Sequence, residues 1–349
     1  MTTPKSIDAD GGTGPEVRVS STGARLMVRD TGGAGPVILL LHGGPGCPDY
    51  LASVAAILPQ GVRAVTFDQR GVGGSTCAGD YRVEDYVADI DAVRAHLGVD
   101  QLHLLGHSWG GLLAQLYLAK HPGRVASLCL LNSAAGVGRQ WTQTEREVLT
   151  HNRRRAGPRG FAALGVWAAA TWLPGPAGAH AGRRVFARVW RNYFPQSETP
   201  PAADPSWLRG VDRVAARRTA KSIKALPASS LDGLGSDRLP VLSLYGDGDI
   251  YGPSVEHVTT RFPTGQHIVL PGCGHLPWLQ APQDFQHSIT QFYDVAIQRE
   301  ARVSLEPAGE AARSPRSVIT ASASSTTGRL SAHTSPRAVA ECGTRAPPQ

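Results

Sequence analysis

The chain has 349 residues, 41% of them hydrophobic and 18% charged, which is enough apolar character for a buried core and too much for global disorder. Its formal charge of +7 would attract polyanions, yet no zinc-finger spacing, RNP-like run or basic heptad helix accompanies it, so no nucleic-acid partner is expected. The five cysteines form neither a disulfide framework nor a CxxC pair, the first residues lack the apolar core of a signal peptide, and the longest apolar stretch, Phe161–Leu173, is too short to span a bilayer. A cytoplasmic protein without a membrane partner is the expectation.

Residues 1–15 are polar and Gly-rich and are expected to form a flexible N-terminal arm. Glu16–Ser20 and Ala24–Asp30 alternate in polarity around Ser21-Thr22-Gly23, which predicts a hairpin. Apolar runs follow at Val37–Leu41, Val62–Phe67, Leu102–Leu105, Val125–Leu131, Val241–Tyr245 and His267–Leu270, the pattern of strands buried on both faces of a parallel sheet. Helices are predicted at Val83–Leu97, where Val83, Val87, Ile90, Val93 and Leu97 share one face and Gly98 ends the run, at Trp109–Lys120, and at Asp284–Gln298. Strands alternating with helices imply βαβ units, hence an α/β fold with a mostly parallel sheet flanked by helices. The alternation stops between Ser133 and Arg238, a segment rich in Ala, Arg, Trp and Pro, which predicts a helical cap inserted over the strand ends. The expected organisation is a core of residues 16–132 and 239–299, a cap at 133–238, and a disordered tail at 300–349 that has no aromatic residue and is rich in Ser, Ala, Arg and Pro.

Chemistry concentrates where the predicted strands end. Gly106-His107-Ser108-Trp109-Gly110 has a buried strand before it and a helix after it, the context in which G-x-S-x-G holds an exposed, strained serine at a helix N-terminus. His42-Gly43-Gly44-Pro45-Gly46 follows another strand, and consecutive glycines there let a backbone amide point at a developing oxyanion; Gly44 and Trp109 are the candidate donors. Asp68-Gln69-Arg70-Gly71 closes the next strand, and Asp68 and Arg70 are expected to brace it. The acid of a triad must follow a later strand, where Tyr245-Gly246-Asp247-Gly248-Asp249 offers two carboxylates; Asp249, past the tight turn, is preferred to Asp247. Among twelve histidines, His275 stands in a Gly-rich loop after the last strand and completes the order Ser108, Asp249, His275. His42 is read as a structural hydrogen-bonding residue, and His103, His107 and His267 as core or rim residues.

HGGPG, DQRG and GHSWGG in this order, over about residues 15–298, resemble the α/β-hydrolase superfamily and, within it, the proline iminopeptidase branch of serine aminopeptidases. The resemblance implies an α/β-hydrolase fold with a helical cap, Ser108, Asp249 and His275 as the triad, oxyanion amides at Gly44 and Trp109, and no metal or organic cofactor. Such peptidases hold the substrate amine with cap glutamates, often near a Trp-Glu pair; here that pair is missing, and the glutamates of the cap are Glu145, Glu147 and Glu198. The expected activity is an aminopeptidase of proline iminopeptidase type that releases N-terminal residues from small peptides; the alternative is a carboxylesterase, lactonase or thioesterase acting on a small acyl substrate with the same triad. A hydrolase scaffold that only binds a ligand is the third. The oligomeric state is not legible.

Overall fold

The computed structural model describes residues 16–195, 199–204, 207 and 211–305. The expected N-terminal arm and most of the expected tail therefore lie outside the described residues.

The strands are β1 (Glu16–Ser21), β2 (Ala24–Asp30), β3 (Val37–Leu41), β4 (Arg63–Phe67), β5 (Thr76–Cys77), β6 (Leu102–His107), β7 (Val125–Leu131), β8 (Val241–Gly246) and β9 (Gln266–Leu270). They form one sheet in the order β1-β2-β4-β3-β6-β7-β8-β9, with β5 on β2. The β1–β2 hairpin and the β2–β4 pair are antiparallel, whereas β3 runs parallel to β4 and β6, and β7, β8 and β9 continue the parallel series. Short connections suffice for the antiparallel pairs, and the parallel ones need crossovers, which are supplied by helices.

Along the chain these are α1 (Ala52–Ala55), α2 (Val83–Leu97), α3 (Trp109–Lys120), α4 (Arg139–Ala170), α5 (Gly175–Asn192), α6 (Arg213–Ala225), α7 (Glu256–Arg261), α8 (Pro277–Gln280) and α9 (Pro282–Leu305). One face of the sheet buries Leu39, Leu41 and Leu104 against α2 and α3, through Val87, Ile90, Leu112 and Leu116. The other buries Ile38, Leu40 and Leu105 against α1 and α9, through Val54, Phe285, Ile289 and Tyr293. β3, β6 and β8 are buried at every position, so both faces are covered, as their unbroken apolar runs require.

Two expectations change. Among the described residues β9 is the edge of the sheet, and His267 and Val269 are exposed; an apolar run does not by itself distinguish an edge strand from a central one. The last helix extends past Gln298 to Leu305, and Glu300, expected to begin the tail, bonds His103 Nε2 at 2.9 Å.

A helical cap is inserted between β7 and β8. α4 carries a kink at Gly157, whose φ of +65° precedes Pro158; the proline removes an amide donor and cannot follow a straight helix. α4 and α5 pack together as a hairpin, and the Asp212 side chain caps α6 by accepting from the amides of Val214 and Ala215.

Candidate active site

Ser108 is held between β6 and α3 at φ +57° and ψ −121°, a conformation disfavoured for any side chain with a Cβ. The neighbouring glycines permit it by close approach: a Cβ on Gly110 would stand 2.0 Å from the Leu41 carbonyl oxygen, and one on Gly106 would stand 2.4 Å from that of Gly110. The elbow is tied down by the Ser108 amide, which donates to the Leu131 carbonyl at 2.9 Å, and by the Ser108 carbonyl, which accepts from Gly111 and Ala134.

The structure brings Asp249 and His275 together. Asp249 Oδ1 lies 2.6 Å from His275 Nδ1, and both side chains are buried. The loops that carry them are joined by the Gly248 amide donating to the Cys273 carbonyl at 2.8 Å. Asp247 is exposed, and its amide donates to the Leu270 carbonyl at 3.0 Å. The cap reaches this loop as well, since the His275 amide donates to the Tyr193 carbonyl at 3.2 Å, just past α5.

Beneath His275 runs a buried relay that the sequence reading left as rim. The Gly43 amide donates to the Tyr50 hydroxyl at 2.9 Å, which lies 2.6 Å from His107 Nδ1, and His107 Nε2 lies 2.9 Å from the His275 carbonyl. The chain is satisfied if Tyr50 donates to Nδ1 and His107 donates from Nε2. Burial holds the His107 pKa well below the ordinary histidine value, so the ring is the neutral tautomer this pattern needs. Gly43 spends its amide on Tyr50, and the next residue, Gly44, lines the cavity with φ +56°. The Trp109 amide opens α3 directly after Ser108.

His42, Gln69 and Trp109 lock the three loops: the Gln69 amide donates to His42 Nε2 at 3.1 Å, its side-chain amide to the His42 carbonyl at 2.7 Å, and Trp109 Nε1 to Gln69 Oε1 at 2.9 Å. Asp68 accepts from Arg29, Asp49 and Gly74, and the buried Arg70 makes a two-point contact with Asp89 at 2.8 and 2.7 Å. Both act as braces.

Tyr251 was missed. Its hydroxyl lies 2.9 Å from Ser108 Oγ, and its ring stands edge-on to His275 with centroids 5.3 Å apart. Burial raises its pKa far above the usual tyrosine value, so it acts as a neutral hydroxyl. The only sequence signal was its position two residues after Asp249.

Above Ser108 and His275 lies a cavity of about 1020 Å³, at the large end for small-molecule sites. Its walls are mostly cap residues, among them Leu173, Val185, Phe186 and Trp190, and among the described residues its charged lining is Arg183 and Arg213. Cys47 lines it near Gly44, its thiol raised to about 11 by burial. The structure does not bring Glu145 or Glu147 here. Glu145 is held by Trp141 Nε1 at 2.9 Å and Lys224 at 2.7 Å, and Glu147 accepts from Gln143, Gly252 and Ser254. Glu198 lies outside the described residues.

Comparison with known proteins agrees with this architecture. A proline iminopeptidase of Lactobacillus delbrueckii subsp. lactis is 27% identical over 275 residues, spanning 73% of this chain and 89% of the relative. The crystal structure of VinJ superposes with a TM-score of 0.64 at 21% identity, covering 81% of this chain and 99% of that one. A carboxylesterase structure from the thaumarchaeon Nitrososphaera gargenis gives 0.59 at 16% identity, covering 81% and 99%. The profile of a family described as alpha/beta hydrolase fold matches residues 36–282, and the chain belongs to that family.

Proposed function

We propose that the chain is a serine hydrolase working through an acyl-enzyme at Ser108, and that its substrate is an ester or thioester of an apolar acyl group rather than a free-amine peptide. The chemistry follows from the Asp249–His275 pair. With Asp249 accepting from Nδ1, Nε2 of His275 is left to take the Ser108 proton as Oγ attacks the carbonyl. Either hydroxyl of the Tyr251–Ser108 pair can donate; with Tyr251 as the donor, the serine proton is free to point at His275. The new oxyanion is met by the amides of Gly44 and Trp109. Collapse expels the alcohol or thiol, which receives the proton from His275, and water then repeats the sequence in reverse to free the acid and Ser108.

The observation that carries the substrate class is the cavity lining. Apolar cap side chains suit an acyl chain, and Arg183 and Arg213 disfavour a protonated amine, whose desolvation is costly unless a carboxylate meets it. The named relatives support a second reading, an aminopeptidase, in which Glu198 would hold the amine. Acyl 4-nitrophenyl esters of increasing length assayed beside amino-acyl anilides test the two. Efficient turnover of the esters with little of prolyl anilide is expected. Preference for prolyl anilide, lost on Glu198→Gln, would replace the ester reading with the aminopeptidase one.

A further inference from the structure

Residues 160–182 contain no Asp, Glu, Lys or Arg. They form the end of α4, the turn and the start of α5, the tip of the cap hairpin. An uncharged apolar segment ordinarily packs inward, but here Ala163, Ala169 and Ala177 are exposed, and Val166, Trp172 and Leu173 are 67%, 60% and 54% exposed. Exposed arginines border this segment: Arg159 precedes it on α4, Arg183 and Arg184 follow it on α5, and Arg217 reaches it from α6. The guanidinium of Arg213 sits 4.8 Å from the Trp172 ring centroid, that of Arg217 5.8 Å from it, and that of Arg184 5.5 Å from the Trp167 centroid. Across α4, α5 and α6 there are fifteen Arg and Lys residues against Glu145, Glu147 and Asp212, so the rest of this +7 chain is net acidic.

We propose that this tip seats on an anionic lipid bilayer, with the apolar residues entering the interface and the arginine collar meeting the headgroups, so that an amphiphilic acyl substrate passes from the bilayer into the cavity. This departs from the expectation of no membrane partner; no helix among the described residues is long and apolar enough to cross a membrane, and the docking is peripheral. An apolar face with Trp, bordered by Arg, is the composition of interfacial segments, and anionic lipids add attraction for each basic residue near the surface. Charge selects this occupant. A second copy would bring two arginine collars face to face, and an acidic protein would answer the collar but leave the tip without a hydrocarbon partner. The tip also walls the cavity through Ala168, Thr171 and Leu173, so an acyl chain moves from lipid to site with little exposure to water. Delivery of substrate rests on the acyl-hydrolase reading of Ser108; the docking does not.

Cosedimentation of the full chain with vesicles tests it, using phosphatidylcholine alone and an equimolar mixture with phosphatidylglycerol. The wild type and Ser108→Ala should pellet with the mixed vesicles, and binding should fall by roughly tenfold or more with phosphatidylcholine alone and in Val166→Glu/Trp172→Glu, at an unchanged Tm. Equal binding to both vesicles, or binding undiminished in the double variant, would overturn the proposal. So would a wild-type dimer that ignores vesicles and dissociates in Trp172→Glu. Vesicle binding without ester turnover would leave the docking standing and remove the acyl-hydrolase reading, and the reverse result would remove only the docking.

Discussion

At the scale of single residues, the proposal makes Ser108, Asp249 and His275 one unit, and units of this kind respond to mutation non-additively. Ser108→Ala and His275→Ala should each lower kcat by about 10⁴-fold or more, and Asp249→Asn by somewhat less, measured on the best acyl ester. Asp247→Asn should change little, because Asp247 is exposed and only its backbone is engaged; a larger loss there than at Asp249 would reverse the assignment of the acid. Tyr251→Phe should leave the fold intact and lower kcat by about tenfold, since a neutral hydrogen bond of ordinary strength to Ser108 is lost. An unchanged kcat would make Tyr251 a bystander. Candidate residues at strand ends were legible because each follows an apolar run in a short glycine-rich loop. Tyr50, His107 and Tyr251 were not, because the contacts Tyr50–His107, His107–His275 and Ser108–Tyr251 span 57 to 168 residues and arise only when the loops meet.

At the scale of elements, α2 was legible to the residue from its helical spacing and Gly98, whereas α3, buried on nearly every side, was legible as the apolar run after the Ser108 turn. The extent of α9 and the exposure of β9 were not legible, because what fixes them is tertiary: the contact of His103 with Glu300, and, among the described residues, the absence of a strand beyond β9. The kinked α4 and the course of the cap were legible only as an interruption of the βα series. The contact between Arg70 and Asp89 joins the loop after β4 to α2, with both side chains fully buried. Removing Asp89 leaves the buried guanidinium only the more distant Asp85 carboxylate at 3.7 Å as counter-charge, so Asp89→Ala should lower stability by about 3 kcal/mol in urea unfolding. A loss below about 1 kcal/mol would mean that solvent reaches Arg70 in the variant.

At the scale of the whole molecule, stability should depend on pH through buried histidines. Burial lowers the folded-state pKa of His107 well below the reference value of 6.5, and those of His103 and His151 are lowered by the same cause. Above the unfolded value both states are neutral and nothing is lost. As pH falls below about 6.5 the unfolded chain takes up protons that the folded chain refuses, so stability falls, by at most about 1.4 kcal/mol per pH unit per histidine. Tm should therefore drop between about pH 7.5 and 5.5, and His107→Gln should flatten that slope without abolishing it; an unaltered slope would show that His107 is not the source. Truncation after Leu305 should leave Tm unchanged, while truncation after Arg299, which removes the Glu300 contact to His103, should lower it by roughly 2–4 °C.

The central claim is that Ser108 attacks acyl carbonyls. Treating the full chain with a fluorophosphonate, followed by digestion and mass spectrometry, tests it most directly. A single adduct on Ser108, absent in Ser108→Ala and greatly slowed in His275→Ala, is the predicted result; labelling elsewhere, or none on a folded protein, would contradict it.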